Sequence, residues 1–307
     1  MIKSLTVIND IGEQLYLPLS DPYESGLAIH SVNGLGPSKA TINTTELATN
    51  DGSIYNSSRK TQKNIVIEFI FLPDKQTAMI EDTRLRTYRY FPTKKNVTLV
   101  VETDNRTAEI EGYVETNEPT IFSEKEGCQI SIVCPSSYFR AKDRTMTLNG
   151  VESLFSFPFS NESLTEKLID LGELIFAVGT NYEYEGEAET GVLITVHVTG
   201  NCSDLTIYNS VTKDKMTFNT SKIKAITKDG IDDLVSGDTM IISTIKGDKY
   251  VSLLRNGKEY NIVATLPKET IDWLTVRKGS NVFGYMADVG GSNLEITIQT
   301  QILYEGV

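Results

Sequence analysis

Runs of alternating apolar and polar positions dominate the chain. Residues 64–72 (Asn-Ile-Val-Ile-Glu-Phe-Ile-Phe-Leu), 97–103 and 108–114 are rich in β-branched and aromatic residues with a two-residue rhythm. That rhythm suits a half-buried strand, because successive side chains leave opposite faces. Residues 192–198, 205–208, 239–245, 250–254, 260–266 and 294–303 repeat the style. Turn chemistry separates these runs at Asp104-Asn105, Lys246-Gly247-Asp248, Arg255-Asn256-Gly257-Lys258 and Gly290-Gly291-Ser292-Asn293. Asn256-Gly257 between two apolar runs predicts a tight hairpin, whose two central residues both need positive φ. Short strands at this spacing predict a sandwich or barrel.

A three-to-four-residue rhythm predicts one helix over residues 74–88. It follows Pro73, has Asp74 in capping position, and ends before Phe91-Pro92. Met79, Ile80, Leu85 and Tyr88 form its thin apolar face, and Arg84, Arg86 and Arg89 near its end suit the helix dipole. A weaker helical stretch covers residues 164–171, and Phe155, Phe157 and Phe159 form an aromatic run suited to packing on a neighbour. At 307 residues the chain is long enough for two domains. The polar run near 137–150 divides it into 1–140 and 141–307.

Composition narrows the function classes. Hydrophobic residues make up 39% and charged residues 23%, so the chain is neither disordered nor a membrane protein. No run approaches the ~20 apolar residues of a bilayer span, and the N-terminus lacks the features of a secretory signal, which points to synthesis in a cytoplasm. The seven Asn-x-Ser/Thr triplets then reflect turn composition rather than glycosylation. The net charge of −12 offers no basic surface for phosphates and argues against sequence-specific nucleic-acid binding. An acidic wall past which DNA slides is compatible with it. Cys128, Cys134 and Cys202 form no disulfide framework or zinc motif and read as small core hydrophobes.

Motifs for catalysis or cofactors are missing from the sequence. His30 and His197 stand alone and read as structural. No nucleophile elbow, phosphate loop or dinucleotide fingerprint occurs, and Gly34-Leu35-Gly36-Pro37 reads as a tight turn. Glu109/Glu111 and Glu115/Glu118 resemble glycosidase pairs only in type; on a strand, Glu109 and Glu111 share one solvated face opposite Ile110. Glu183, Glu185, Glu187 and Glu189 lie on one side of an extended segment without the spacing of a calcium loop. The single tryptophan, Trp273, reads as core. No metal, cofactor or catalytic residue is expected, and the chain reads as a builder of an assembly rather than an enzyme.

Ordered short motifs carry a resemblance. Gly26-Leu27-Ala28-Ile29-His30 runs on to Gly34-Leu35-Gly36-Pro37-Ser38. Asp51-Gly52-Ser53-Ile54-Tyr55 to Arg59, Glu81-Asp82-Thr83-Arg84 and Tyr90-Phe91-Pro92 follow in order. Gly112-Tyr113-Val114-Glu115-Thr116 then leads to Gln129-Ile130-Ser131-Ile132-Val133-Cys134-Pro135. Later stretches agree less strongly, at Ser236-Gly237-Asp238, Asn256-Gly257, Gly279-Ser280-Asn281 and the terminal Tyr304-Glu305-Gly306-Val307. This order resembles the distal tail protein family of long-tailed phages and prophages of Gram-positive bacteria. The resemblance implies a mainly β protein: an N-terminal sandwich- or barrel-like ring-forming domain with one helix, then an outward galectin-like β-sandwich. It further implies a hexameric ring at the tail tip of the virion, joining the tail tube to the adsorption apparatus around an axial channel for DNA. The implied partners are the tail tube protein, a tail-associated lysin or tail-fibre hub, and a receptor-binding protein. Asp51, Tyr55, Arg59, Arg84 and Arg86 lie in the matching stretches and are the expected subunit contacts. The other reading left open is a carbohydrate-binding module used in host adsorption.

Overall fold

A computed structural model of the chain describes residues 1–47, 51–72, 79–152, 173–176, 179–267 and 272–307. The expected helix over 164–171, the aromatic run at 155–159 and the start of the helix at 74–78 lie outside these residues. The protein is mainly β, built from antiparallel sheets. It divides into two compact units: Met1–Lys142 with Leu303–Val307, and Asp143–Ile302. The last residues of the chain thus return to the first unit.

Unit 1 contains β1 (Ile2–Ile8), β2 (Gln14–Pro18), β3 (Leu27–Asn33), β4 (Ala40–Glu46), β5 (Ser53–Lys60), β6 (Lys63–Phe71), α1 (Ile80–Tyr90), β7 (Asn96–Thr103), β8 (Thr107–Thr120), β9 (Gly127–Cys134) and β10 (Phe139–Arg140). Its main sheet has the order β2-β1-β7-β8-β9-β6-β3. Alternation places Ile65, Ile67, Phe69 and Phe71 of β6 inward beside Val97, Leu99 and Val101 of β7 and Ile130 and Ile132 of β9. Cys128 and Cys134 share the inward face of β9, and burial pushes their thiols up to about 12 and about 11.

The helix inverts its expected face. Thr83 and Thr87 are buried, whereas Met79, Ile80, Leu85 and Tyr88 are exposed. Hydrogen bonds, not an apolar stripe, seat it. Thr83 Oγ1 donates to the Leu72 carbonyl at 3.3 Å, and Asn117 Nδ2 donates to the carbonyls of Thr87 (3.2 Å) and Phe91 (3.4 Å). Phe91, just past the helix, enters the core against Phe69 at 5.8 Å between ring centroids.

Unit 2 contains β11 (Arg144–Glu152), β12 (Glu173–Phe176), β13 (Gly179–Tyr184), β14 (Thr190–Val198), β15 (Ser203–Asn209), β16 (Asp214–Phe218), α2 (Ile223–Thr227), β17 (Thr239–Ser243), β18 (Tyr250–Arg255), β19 (Lys258–Asn261), β20 (Thr275–Val276), β21 (Gly279–Val289) and β22 (Leu294–Thr300). One sheet runs β12-β11-β22-β14-β17-β18-β19, with β20 on β14; the other runs β13-β21-β15-β16. Both supply buried alternating residues, among them Val192, Ile194 and Ile296 from the first and Leu205, Ile207 and Phe283 from the second. The β18–β19 hairpin turns through Asn256 (φ 50°) and Gly257 (φ 73°), as that dipeptide predicts. The strand expected over 260–266 stops at Asn261, whose side chain accepts from Val263 N at 3.0 Å and starts a 3-10 turn. Trp273 is half-buried rather than core, with Lys249 Nζ 5.1 Å from its ring centroid.

A buried ion cluster pins the same hairpin. The Arg255 side chain is 2% exposed and grips Asp238, also 2% exposed, through Nε and Nη2 at 2.9 and 2.6 Å. It also donates to Asp229 at 2.9 Å and to the Asp233 carbonyl at 2.7 Å. Hydrogen bonds from Ile231 N and Thr227, then Arg255, hold the Asp229 carboxyl down at about 2. The last strand, β23 (Leu303–Tyr304), belongs to unit 1, where it pairs antiparallel with β10.

Candidate assembly surface

In unit 1, β4 and β5 leave the main sheet and form a two-stranded sheet of their own. Every residue of β4 is exposed, and every residue of β5 except Lys60. Local polar bonds shape the hairpin. Asn43 Nδ2 donates to Ser57 Oγ at 3.0 Å, Asn56 Nδ2 to Thr45 Oγ1 at 2.6 Å, and the Tyr55 and Ser58 hydroxyls lie 2.8 Å apart. A bulge between Asn43 and Thr44 twists it. Ile42, Ile54 and Tyr55 nonetheless stand in solvent at 62%, 53% and 60% exposure. A lone two-stranded hairpin is marginal in water, and both of its backbone edges are open to pairing with another chain.

The arm is nevertheless firmly rooted. Lys60 Nζ meets Glu305 Oε1 at 2.5 Å, and Lys63 Nζ donates to the carbonyls of Gly36 and of Glu305, the latter at 3.1 Å. Burial works against the charge on both lysines. At Lys60 burial is the largest single influence, but the bond and charge of Glu305 together with Tyr138 outweigh it and hold the ammonium above its ordinary value; at Lys63, 3% exposed, burial wins and lowers it. Thr61 donates to the Lys39 carbonyl from N and Oγ1, both at 2.9 Å. Gly34, at φ +91°, lies so close to strand β6 that a Cβ would sit 2.1 Å from the Asn64 oxygen, so only glycine fits this turn.

Three of the residues expected as subunit contacts meet on this hairpin. Asp51 is exposed just ahead of β5, Tyr55 pairs with Thr44, and Arg59 pairs with Thr41. Arg84 and Arg86 are on α1 instead and bind within the chain: Arg84 to Glu81 at 3.2 Å, and Arg86 to the Ser25 carbonyl at 2.5 Å. Sequence reasoning missed Ile42, Ile54, Lys60, Lys63 and Glu305. Isolated apolar residues in a Ser/Thr/Asn-rich run were the available signal for the first two, and nothing local marked the others.

Exposed apolar residues concentrate in unit 1. Among the described residues, sixteen of the twenty-two large exposed hydrophobics are there, including Tyr16, Leu85, Tyr88 and Phe122. The acidic series meets charge partners within unit 2: Arg144 pairs with Glu185 at 2.8 Å and Arg277 with Glu189 at 3.1 Å. Glu111 pairs with Arg140 at 3.0 Å, and both histidines are exposed. Among the described residues no three His, Cys, Asp or Glu side chains converge as a metal site, and no helix is long and apolar enough to cross a membrane.

No protein-family model matches the chain, and no curated protein matches it. Solved structures do. The crystal structure of SPP1 Dit (gp 19.1), described as a paradigm of hub adsorption apparatus in Gram-positive infecting phages, aligns at 10% identity and TM-score 0.64. The alignment covers 98% of this chain and 99% of that one. A chain of the phage P2 baseplate in its activated conformation with Ca aligns at 13% identity over 97% and 98% of the two chains, with a TM-score of 0.44. The first alignment runs through both units, and from it the conclusion is one of architecture: this chain has the fold of SPP1 Dit.

Proposed function

We propose that this chain is a structural hub of a phage tail tip. Unit 1 associates into a hexameric ring that joins the tail tube to the adsorption apparatus and leaves an axial channel for DNA. Unit 2 holds adsorption proteins, a receptor-binding protein or the lysin-bearing fibre hub. The protein acts in the virion after synthesis in the host cytoplasm, without enzymatic activity or cofactor.

The observation that carries this reading is the solvent-standing β4–β5 hairpin on a Dit-type fold. Its edges and its Ile42, Ile54 and Tyr55 side chains gain pairing and burial when a second copy covers them. A head-to-tail contact of this kind closes into a ring when its rotation permits. The charge of −12 per chain suits a conduit that DNA passes without sticking. Carbohydrate binding finds less support, because the ring of the one tryptophan is half-buried under Lys249. Native mass spectrometry of the chain with its tail-tube protein tests the proposal. Six copies per particle support it, and monomers at every concentration overturn it.

A further inference from the structure

The contacts that root the hairpin come in large part from one short segment, Leu303–Val307, which lies almost 250 positions beyond β5. β23 pairs with β10 through Phe139↔Tyr304 and Arg140↔Leu303. The Arg106 guanidinium covers the Tyr304 ring at 4.2 Å. Glu305 then takes Lys60 with its carboxylate and Lys63 with its carbonyl. Val307 N donates to the Leu35 carbonyl at 3.1 Å. Gly306 packs so tightly that a Cβ would lie 2.8 Å from the Leu35 oxygen. The partners of Glu305, Gly306 and Val307 share a location: Leu35 and Gly36 lead into β4, and Lys60 and Lys63 flank the two residues that leave β5. Leu303 and Tyr304 thus fasten the segment to β10 and Arg106, and Glu305 to Val307 grip both legs of the arm where they depart from the sheet.

We infer that Leu303–Val307 is a latch that fixes the direction of the β4–β5 arm. Without it, the legs keep the Lys63–Gly36 bond, the bonds between Lys39 and Thr61, the Lys60 and Lys63 contacts with the Tyr138 and Phe139 rings, and those of Ser137, which donates to the Thr61 carbonyl at 2.8 Å and accepts from Ser38 at 3.0 Å. Such a pair of short legs swings about the glycine turn at Gly34. Leu303 follows Ile302 of unit 2 directly, so a pull on unit 2 reaches the arm's base through the same strand. The arm's role in assembly rests on the function proposed above; its anchoring by the tail does not.

The test uses two spin labels on the full chain, at Thr44→Cys on the arm and Asn96→Cys on β7. The native cysteines are all buried and stay unlabelled. Pulsed dipolar spectroscopy is expected to give a narrow distance distribution in the parent. Deleting 305–307 is expected to broaden it roughly twofold or more, and Gly306→Val and Glu305→Gln to do so in part, with the circular dichroism unchanged. A width unaltered in the folded variants overturns the latch. Oligomer mass is read on the same samples: a parent that never assembles refutes the ring reading while the width still decides the latch.

Discussion

Ile42 and Tyr55 offer the most discriminating perturbation, since the ring account and a plain monomer give opposite expectations for them. Both stand about three-fifths exposed, at 62% and 60%. Full burial of such a side chain stabilises by roughly 1.5–3 kcal/mol, so covering the exposed part contributes ~1–2 kcal/mol each. Ile42→Ser with Tyr55→Ser therefore removes ~2–4 kcal/mol from each subunit contact, which weakens it by roughly 30- to 1000-fold. Within the isolated chain neither residue supports a core, and surface changes of this kind shift stability by about ±0.5 kcal/mol. Sedimentation velocity across a concentration series gives the association, and thermal melting of the same samples gives the fold. Assembly is expected to collapse while melting stays put. Equal assembly in variant and parent refutes the reasoning, as does a melting loss as large as the assembly loss.

Arg255→Leu leaves the Asp238 carboxylate, 2% exposed, without its partner. It should cost ~3–5 kcal/mol, read by urea unfolding through Trp273; a loss under ~1 kcal/mol contradicts the cluster's assignment. Asp229 sits at about 2 in the folded chain against an ordinary 3.8. Its contribution is therefore complete above pH ~4 and lost as pH falls toward 2. Asp229→Asn should flatten the fall in unit 2's melting temperature between pH 5 and pH 2.5, and an unchanged slope refutes that role. Burial holds the three thiols at about 12, 11 and 11, so a thiol reagent at pH 8 should label none in the native chain and all three in urea. Rapid labelling of native protein contradicts that packing.

Longer strands with one-sided burial were legible in both units, whereas the short or mixed β1, β2, β13 and β16 went unread although they too bury alternate residues. β6, β7 and β8 advertise themselves because their inward residues must be apolar and their outward ones need not be. β4 was not legible, because Ala-Thr-Ile-Asn-Thr-Thr-Glu buries nothing and so carries no alternation. The inverted helix face shows the same limit: the Thr83 hydroxyl and the Asn117 amide, the latter donating to the Thr87 carbonyl, seat α1 through hydrogen bonds, and a polarity pattern cannot anticipate them. Tyr55 and Arg59 were singled out because their stretch has a family-like motif, although the sequence does not show that the stretch is a free arm. The union of β10 with β23 is long-range, made by residues more than 160 positions apart. Local periodicity is blind to such pairings, which is why the tail's place at the arm's base emerges only from the three-dimensional fold.

Negative-stain imaging of the purified chain, alone and with its tail-tube protein, shows whether copies of unit 1 close into a ring. Six-fold rings with an axial hole are expected, absent from the Ile42→Ser/Tyr55→Ser variant. Single, ringless particles in both preparations would contradict ring closure.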